Sequence, residues 1–281
     1  MLDALLNFEI LRNTFYTGLI VGLLAPLLGT FIVVRRLSLI SDGLSHVTLA
    51  GISFGLLMQK KYTLLMFTPF HTGIFFSVLG AIVIENLRHV YKSFQEIAIP
   101  ITLSVGVGLS VVFIAMADGI NTDIYAYLFG SVAAVSQSDL YVVLFTAIFV
   151  LIVITLLYKE LFALSFDEEF ATVSGIHAKI IHYLFIIMTA LVIAASIRIV
   201  GVLLVSALMT LPVATAMRLA KSFKQTLIFS IIYGEVAVII GLITGYYFEI
   251  PPGGTIVITA AILLGLTLLI KKWYLAYIYR G

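Results

Sequence analysis

Residues 35–55 read RRLSLISDGLSHVTLAGISFG, and apolar sequence continues on both sides for many turns. An arginine pair opens the stretch, and an aspartate and a histidine sit four residues apart inside it. Whether this segment crosses a membrane or packs in a soluble core decides the fold. Of 281 residues, 62% are hydrophobic and 11% charged, whereas soluble domains are about a quarter charged. The chain also repeats apolar runs of about 20 residues, the length that crosses a hydrocarbon layer about 30 Å thick. An integral membrane protein follows, and the aspartate and histidine lie within one of its spans.

Working outward, spans are expected at about 14–34, 38–58, 64–85, 97–117, 139–158, 180–196, 198–217, 226–248 and 255–271. That is an all-α, polytopic transmembrane bundle of about nine spans. An eight-span alternative merges 180–217 differently, because the connection there is almost absent. The segment DIYAYLFGSVAAV, 123–135, is too short to cross and reads as a half-span. Residues 1–281 form a single transmembrane domain, with 159–179 a loop inside it. MLDALLNFEILRN at the start lacks the basic opening and cleavage site of a signal peptide, so the first apolar run is expected to remain. The pairs Gly18/Gly22, Gly51/Gly55 and Gly241/Gly245 suit close helix packing within one bundle.

Positive charge gives the orientation. If the turn after the first span is cytoplasmic, the inside collects Arg35, Arg36, Arg88, Lys92, Lys159, Lys179, Arg218, Lys221, Lys224, Lys271, Lys272 and Arg280, which is 12 of the 16 Lys and Arg residues. The N-terminus is then outside and the C-terminus in the cytoplasm. The net charge of +2 is too small and dispersed for a nucleic-acid partner. Cysteine is absent, which removes disulfides and thiolate metal sites. No Walker phosphate loop and no His-Glu-x-x-His pattern occurs, and GVGLSV at 106–111 fails the dinucleotide glycine pattern. The chain is not expected to be an enzyme.

Wound as a helix, Ser38, Ser41, Asp42, Ser45, His46 and Thr48 fall within an arc of about 160°. Asp42 and His46 sit one turn apart on that face, so their ligand atoms can converge. His46 lies about 15 Å beyond Arg36 along the axis, near mid-bilayer. An ionisable group there costs roughly 3 kcal/mol and ordinarily faces a bundle interior or an aqueous path. A hydrogen bond from Asp42 to His46 that only ties helices together is the structural alternative. The hydroxyl stripe favours a wet route. A carboxylate with an imidazole suits zinc or manganese, and the missing thiols disfavour copper. Glu235, deep in the eighth span, is a candidate further ligand. His71 in TPFHTG belongs near the outer surface.

The segment YKELFALSFDEEFATVSGIHAK, 158–179, is the longest strongly polar interruption. Ser165 with Glu168 has the spacing of a capping box, and Gly175 can end the helix in a left-handed turn. About ten helical residues would present Phe166, Phe170 and Val173 along one stripe beside Asp167, Glu168 and Glu169. An anionic inner leaflet repels those acids, whereas a protein groove can satisfy them.

VVRRLSLISDGLSHVTLAGISFG resembles the signature of the permease subunit of zinc and manganese ATP-binding-cassette importers. SFDEEFATVSGI (165–176) is similar to that family's ATPase-docking loop, SIRIVGVLLVSALMTLPVATA (196–216) to its late helix pair, and FEIPPGGTIVI (248–258) to its last outer turn. The resemblance covers nearly the whole chain. It implies a prokaryotic plasma-membrane permease that pairs with a second copy of itself, a cytoplasmic ATPase dimer and an extracytoplasmic metal-binding protein. It also implies that Asp42 and His46 match the family's intramembrane metal site. The metal, Zn2+ or Mn2+, is then cargo, and no cofactor is permanently bound. A gradient-driven secondary metal transporter is one alternative, but it has no use for a docking helix. An iron-chelate or vitamin permease is the other, and it needs a wide, ligand-poor cavity that the Asp42/His46 pair argues against.

Overall fold

In hydrocarbon every backbone amide must be satisfied within the protein, so long apolar runs become helices. The computed structural model describes residues 7–62, 68–117, 119, 122–133 and 135–278. Twelve α-helices are described: α1 Glu9–Val34, α2 Leu39–Tyr62, α3 Pro69–Val90, α4 Ala98–Met116, α5 Thr122–Phe129, α6 Gln137–Leu156, α7 Tyr158–Phe166, α8 Glu168–Val173, α9 Ala178–Val200, α10 Val205–Leu219, α11 Phe223–Phe248 and α12 Pro252–Ile278. Among the described residues there is no strand. The fold is the expected polytopic helical bundle, and eight of its helices are long and apolar enough to cross a membrane.

The helices α1 and α9 are the most buried spans, while α4, α6 and α12 leave most of their surface outward. One half of the bundle packs α1 against α11 and α10, and another packs α2 against α3 and α4. Small residues set these approaches. Gly18 and Gly22 face Leu242, Val238 and Glu235 of α11, while Gly51 and Gly55 face Thr72 and Phe76 of α3. Gly241 meets Ile256 of α12. All three glycine pairs therefore serve packing inside one chain.

The expected seventh span, 198–217, is the main difference. Its first three residues finish α9, and Gly201–Leu204 turns the chain before α10 begins. Helix α10 has 15 residues, about 22 Å of rise, short of a full crossing. Its route is nevertheless a return. Gly253, at the start of α12, sits against Val200 O, whereas Lys271 Nζ, near the end of α12, donates to Arg218 O at 2.6 Å. The chain thus travels from one end of the bundle to the other through α10. The turn before it is closed by the half-span: Val202 N donates to Tyr127 O at 2.9 Å and Leu203 N to Leu128 O at 3.4 Å. The carbonyls at the end of the half-span α5 therefore satisfy backbone that leaves the helix at depth, which is tolerated only where protein covers it. The expected span start at residue 64 lies outside the described residues.

Candidate metal site and coupling region

Helix α2 carries Asp42 and His46 in its first two turns, both half-buried. Their position is fixed by α4, whose Gly106 lies so close that a methyl group there would sit 2.9 Å from Val47 N and 3.0 Å from the His46 carbonyl carbon. The hydroxyls of the same face behave differently from the two ionisable groups. Ser41, Ser45 and Thr48 are buried, and each donates to a carbonyl of its own helix: Ser41 to Ser38 O at 2.8 Å, Ser45 to Ser41 O at 2.7 Å, Thr48 to Leu44 O at 2.6 Å. Back-bonding thus satisfies these three hydroxyls in the packed interior of one chain, whereas Asp42 and His46 stay partly exposed. Asp42 and His46 remain for another purpose. Among the described residues no hydrogen bond joins them to each other or to anything else, so they do not form a helix-locking pair.

Glu235 of α11 has its carboxyl group packed over Gly22 of α1. Among the described residues no set of three or more His, Asp or Glu side chains is arranged to hold a metal ion. His71 is exposed in the first turn of α3, where Thr68 caps the helix through His71 N. It belongs to the rim.

The 158–179 segment forms two helices where one of about ten residues was expected. Ser165 is inside α7, where its Oγ donates to Leu161 O at 2.6 Å and accepts from Arg35 Nε at 3.1 Å. The cap of α8 is Asp167, whose Oδ1 accepts from Phe170 N at 2.9 Å. Arg35 draws Ser165 into the bundle, so Asp167 takes the extended backbone and starts the six-residue helix. Phe166 consequently sits on α7, separate from Phe170 and Val173 on α8, although all three are exposed. Glu168 turns back toward His182, and Glu169 faces outward. Gly175 has φ of 88° and closes α8, with Gly175 N donating to Thr172 O and Ile176 N to Ala171 O, a Schellman arrangement. Phe162 and Phe166 pack on Phe223, and Phe223 on Phe31, which connects this region to α11 and α1 by ring contacts.

The arginine pair divides its labour. Arg36 occupies a left-handed position, φ 59°, just past α1 and is exposed. Arg35 tucks inward beside Ser165, Leu161 O and His182 and lies over the Phe185 ring at 4.6 Å. Burial, partly offset by Glu168, pushes its pKa down to about 10, so it remains a cation at neutral pH. At the opposite end Arg198 pairs with Asp139 at 3.5 Å and lies over Phe70 and Tyr127. The sequence marks Arg35 only as an orientation charge and singles out neither Arg198 nor His182. The partners of Arg35 and Arg198 are more than 50 residues away in the chain, as is Arg35 from His182, and leave no local signal.

Comparison with known proteins matches residues 7–271 to the ABC 3 transport family. The chain is 35% identical over 268 residues to a probable metal transport system membrane protein of Treponema pallidum, covering 95% of this chain and 98% of that one. It is 32% identical to the manganese import system permease protein ScaB of Streptococcus gordonii, with 93% and 91% covered. Among solved structures, PsaBC from Streptococcus pneumoniae in complex with Fab superposes with a TM-score of 0.83 at 32% identity, covering 98% of both chains. An inward-facing putative metal-chelate type ABC transporter shares the fold, with a TM-score of 0.66 at 19% identity over 92% of this chain and 85% of that one.

Proposed function

The chain belongs to the ABC 3 transport family, and from that premise we propose that it is the membrane-spanning permease subunit of an importer carrying a divalent transition metal, manganese in preference to zinc, into the cytoplasm. The observation that carries the reading is the pair Asp42 and His46, half-buried one turn apart on a membrane-spanning helix and joined by no hydrogen bond to another described side chain. A carboxylate facing lipid there costs roughly 3 kcal/mol, so this face needs a polar neighbour. A second copy of the chain supplies one. Two α2 helices meeting across a two-fold axis bring four ligands together, two carboxylates and two imidazoles, enough to replace part of an ion's water shell. One chain alone offers too few.

Each ligand has a distinct task. Asp42 provides the carboxylate that attracts a dication. His46 ligates as the neutral ring through whichever nitrogen is unprotonated. A transport site must also release its ion, and a small set of ligands, assembled between two subunits, opens when the subunits move. Manganese is favoured because carboxylate oxygen suits that ion and because relatives 29–33% identical over at least 90% of their length are named for manganese import or manganese transport.

Energy comes from a separate ATPase that docks on 159–179, where Phe166, Phe170 and Val173 are 61%, 67% and 89% exposed. An extracytoplasmic binding protein delivers the metal at the other end. Asp167, Glu169 and the Gly175 turn complete the docking surface. The N-terminus is outside and the C-terminus inside, as positive charge directs. Since the chain has no cysteine, single cysteines at Ser174 and Gly254 test this arrangement with an impermeant thiol reagent on intact cells. Labelling is expected at Gly254 and not at Ser174. Labelling at Ser174 alone puts the docking surface outside the cell and ends the ATPase reading.

A further inference from the structure

His182 is a buried titratable group, 7% exposed, with no part in holding metal. Its ring stands between two charges on separate segments. Nδ1 lies 3.3 Å from Arg35 Nη1, and Nε2 lies 3.2 Å from Glu168 Oε1. A guanidinium can only donate, so Nδ1 accepts and the neutral ring carries its proton on Nε2. That proton faces Glu168 out of line: Nε2 makes no hydrogen bond, although the carboxylate is within reach. A small displacement of α8 would align or separate the two.

Arg35 is held by three other contacts. Its Nε donates to Ser165 Oγ at 3.1 Å and its Nη2 to Leu161 O at 3.4 Å, both on α7, while its plane stacks on Phe185 of α9. It also ends α1, the most interior span together with α9. Helix α8 reaches the bundle through buried Ala171 and through Glu168, and its remaining surface is outward. The cleft beside the ring, about 760 Å³, is further lined by Glu85, Arg88 and His89 of α3. Glu85 is itself engaged by Arg88 at 3.1 Å and by His89 at 3.6 Å, so Glu168 is the carboxylate placed against His182.

We propose that Arg35 and His182 are positioning residues of the energy-coupling step, forming with Glu168 a relay that converts displacement of α8 into displacement of α1 and α9 together. The relay rests on the reading that an ATPase docks on this loop. Because Nδ1 is clamped by Arg35, the ring cannot follow Glu168 without pulling the guanidinium. The guanidinium in turn holds α7, α9 and the end of α1 in one geometry.

The test uses the complete permease–ATPase complex in proteoliposomes and reads manganese translocated per ATP hydrolysed, a ratio that a loss of protein does not change. Arg35→Ala, His182→Ala and Glu168→Ala are each expected to lower it about tenfold. The double variant Arg35→Ala/Glu168→Ala is expected to be no lower than the worse single, since both break one chain of contacts. Should the buried Arg35→Ala chain fail to assemble, Glu168→Ala decides alone, because that side chain is 58% exposed. A wild-type ratio in Glu168→Ala, or multiplying effects in the double variant, overturns the relay. Failure of the docking reading looks different: the ATPase would still co-elute with a chain carrying both Phe170→Glu and Val173→Glu.

Discussion

Asp42→Asn and His46→Ala are each expected to reduce manganese accumulation in cells at least tenfold while leaving the amount of protein in the membrane unchanged. The first variant keeps size and hydrogen-bonding shape but removes the charge that attracts a dication. At the proposed site shared by two chains, one substitution removes two of four ligands. Neither change should disturb folding, since among the described residues no hydrogen bond depends on Asp42 or His46. The hydroxyls beside them, bonded to their own helix, stay in place. Uptake assays with membrane levels matched by immunoblot check this. Undiminished uptake in both variants sinks the assignment.

Gly175→Pro is expected to cut transport at least tenfold while leaving metal binding at Asp42 and His46 intact. Gly175 holds φ at 88°, whereas proline is locked near −65°. The substitution also deletes the Gly175 N–H that donates to Thr172 O at 3.1 Å. The end of α8 must therefore reorient, and Phe170 and Val173 move with it. Gly175→Ala is the control: it keeps the N–H and pays about 1–2 kcal/mol for the left-handed backbone, so its loss should be smaller. Co-elution with the ATPase and metal transport are the two readings. Normal values of both in Gly175→Pro argue against a docking role.

Legibility in the sequence followed the range of the interactions. Eight spans could be read because a run of about 20 apolar residues has one outcome in lipid, whatever lies elsewhere in the chain. The region around 198–217 could not be divided correctly, because Gly201–Leu204 is as apolar as a helix. What lets it turn at depth are carbonyls of Tyr127 and Leu128, some 75 residues earlier. The face bearing Asp42 and His46 was visible from helical period alone. The fate of its serines and threonine was not, since a hydroxyl that bonds its own helix and one that lines water look alike in sequence. Ser165 and Asp167 are both good caps. The choice between them was made by Arg35, 130 residues from Ser165.

The geometry of the bundle also explains why so few polar residues suffice. The chain places Asp42 and His46 on α2 and gathers Arg35, Glu85, Arg88, Glu168 and His182 where α1, α3, α7, α8 and α9 come together. On the proposed reading the pair meets the metal and the cluster takes up the energy input, and Arg35 of the cluster stands at the end of α1 just before the turn into α2.

The most direct measurement reconstitutes the permease with its ATPase in liposomes and follows radioactive manganese with ATP supplied on the side of residues 159–179. The account predicts accumulation toward the ATP side that stops when ATP is withheld and is absent in the Asp42→Asn chain. Accumulation driven by a proton or sodium gradient without ATP, or equal transport by Asp42→Asn, would contradict it.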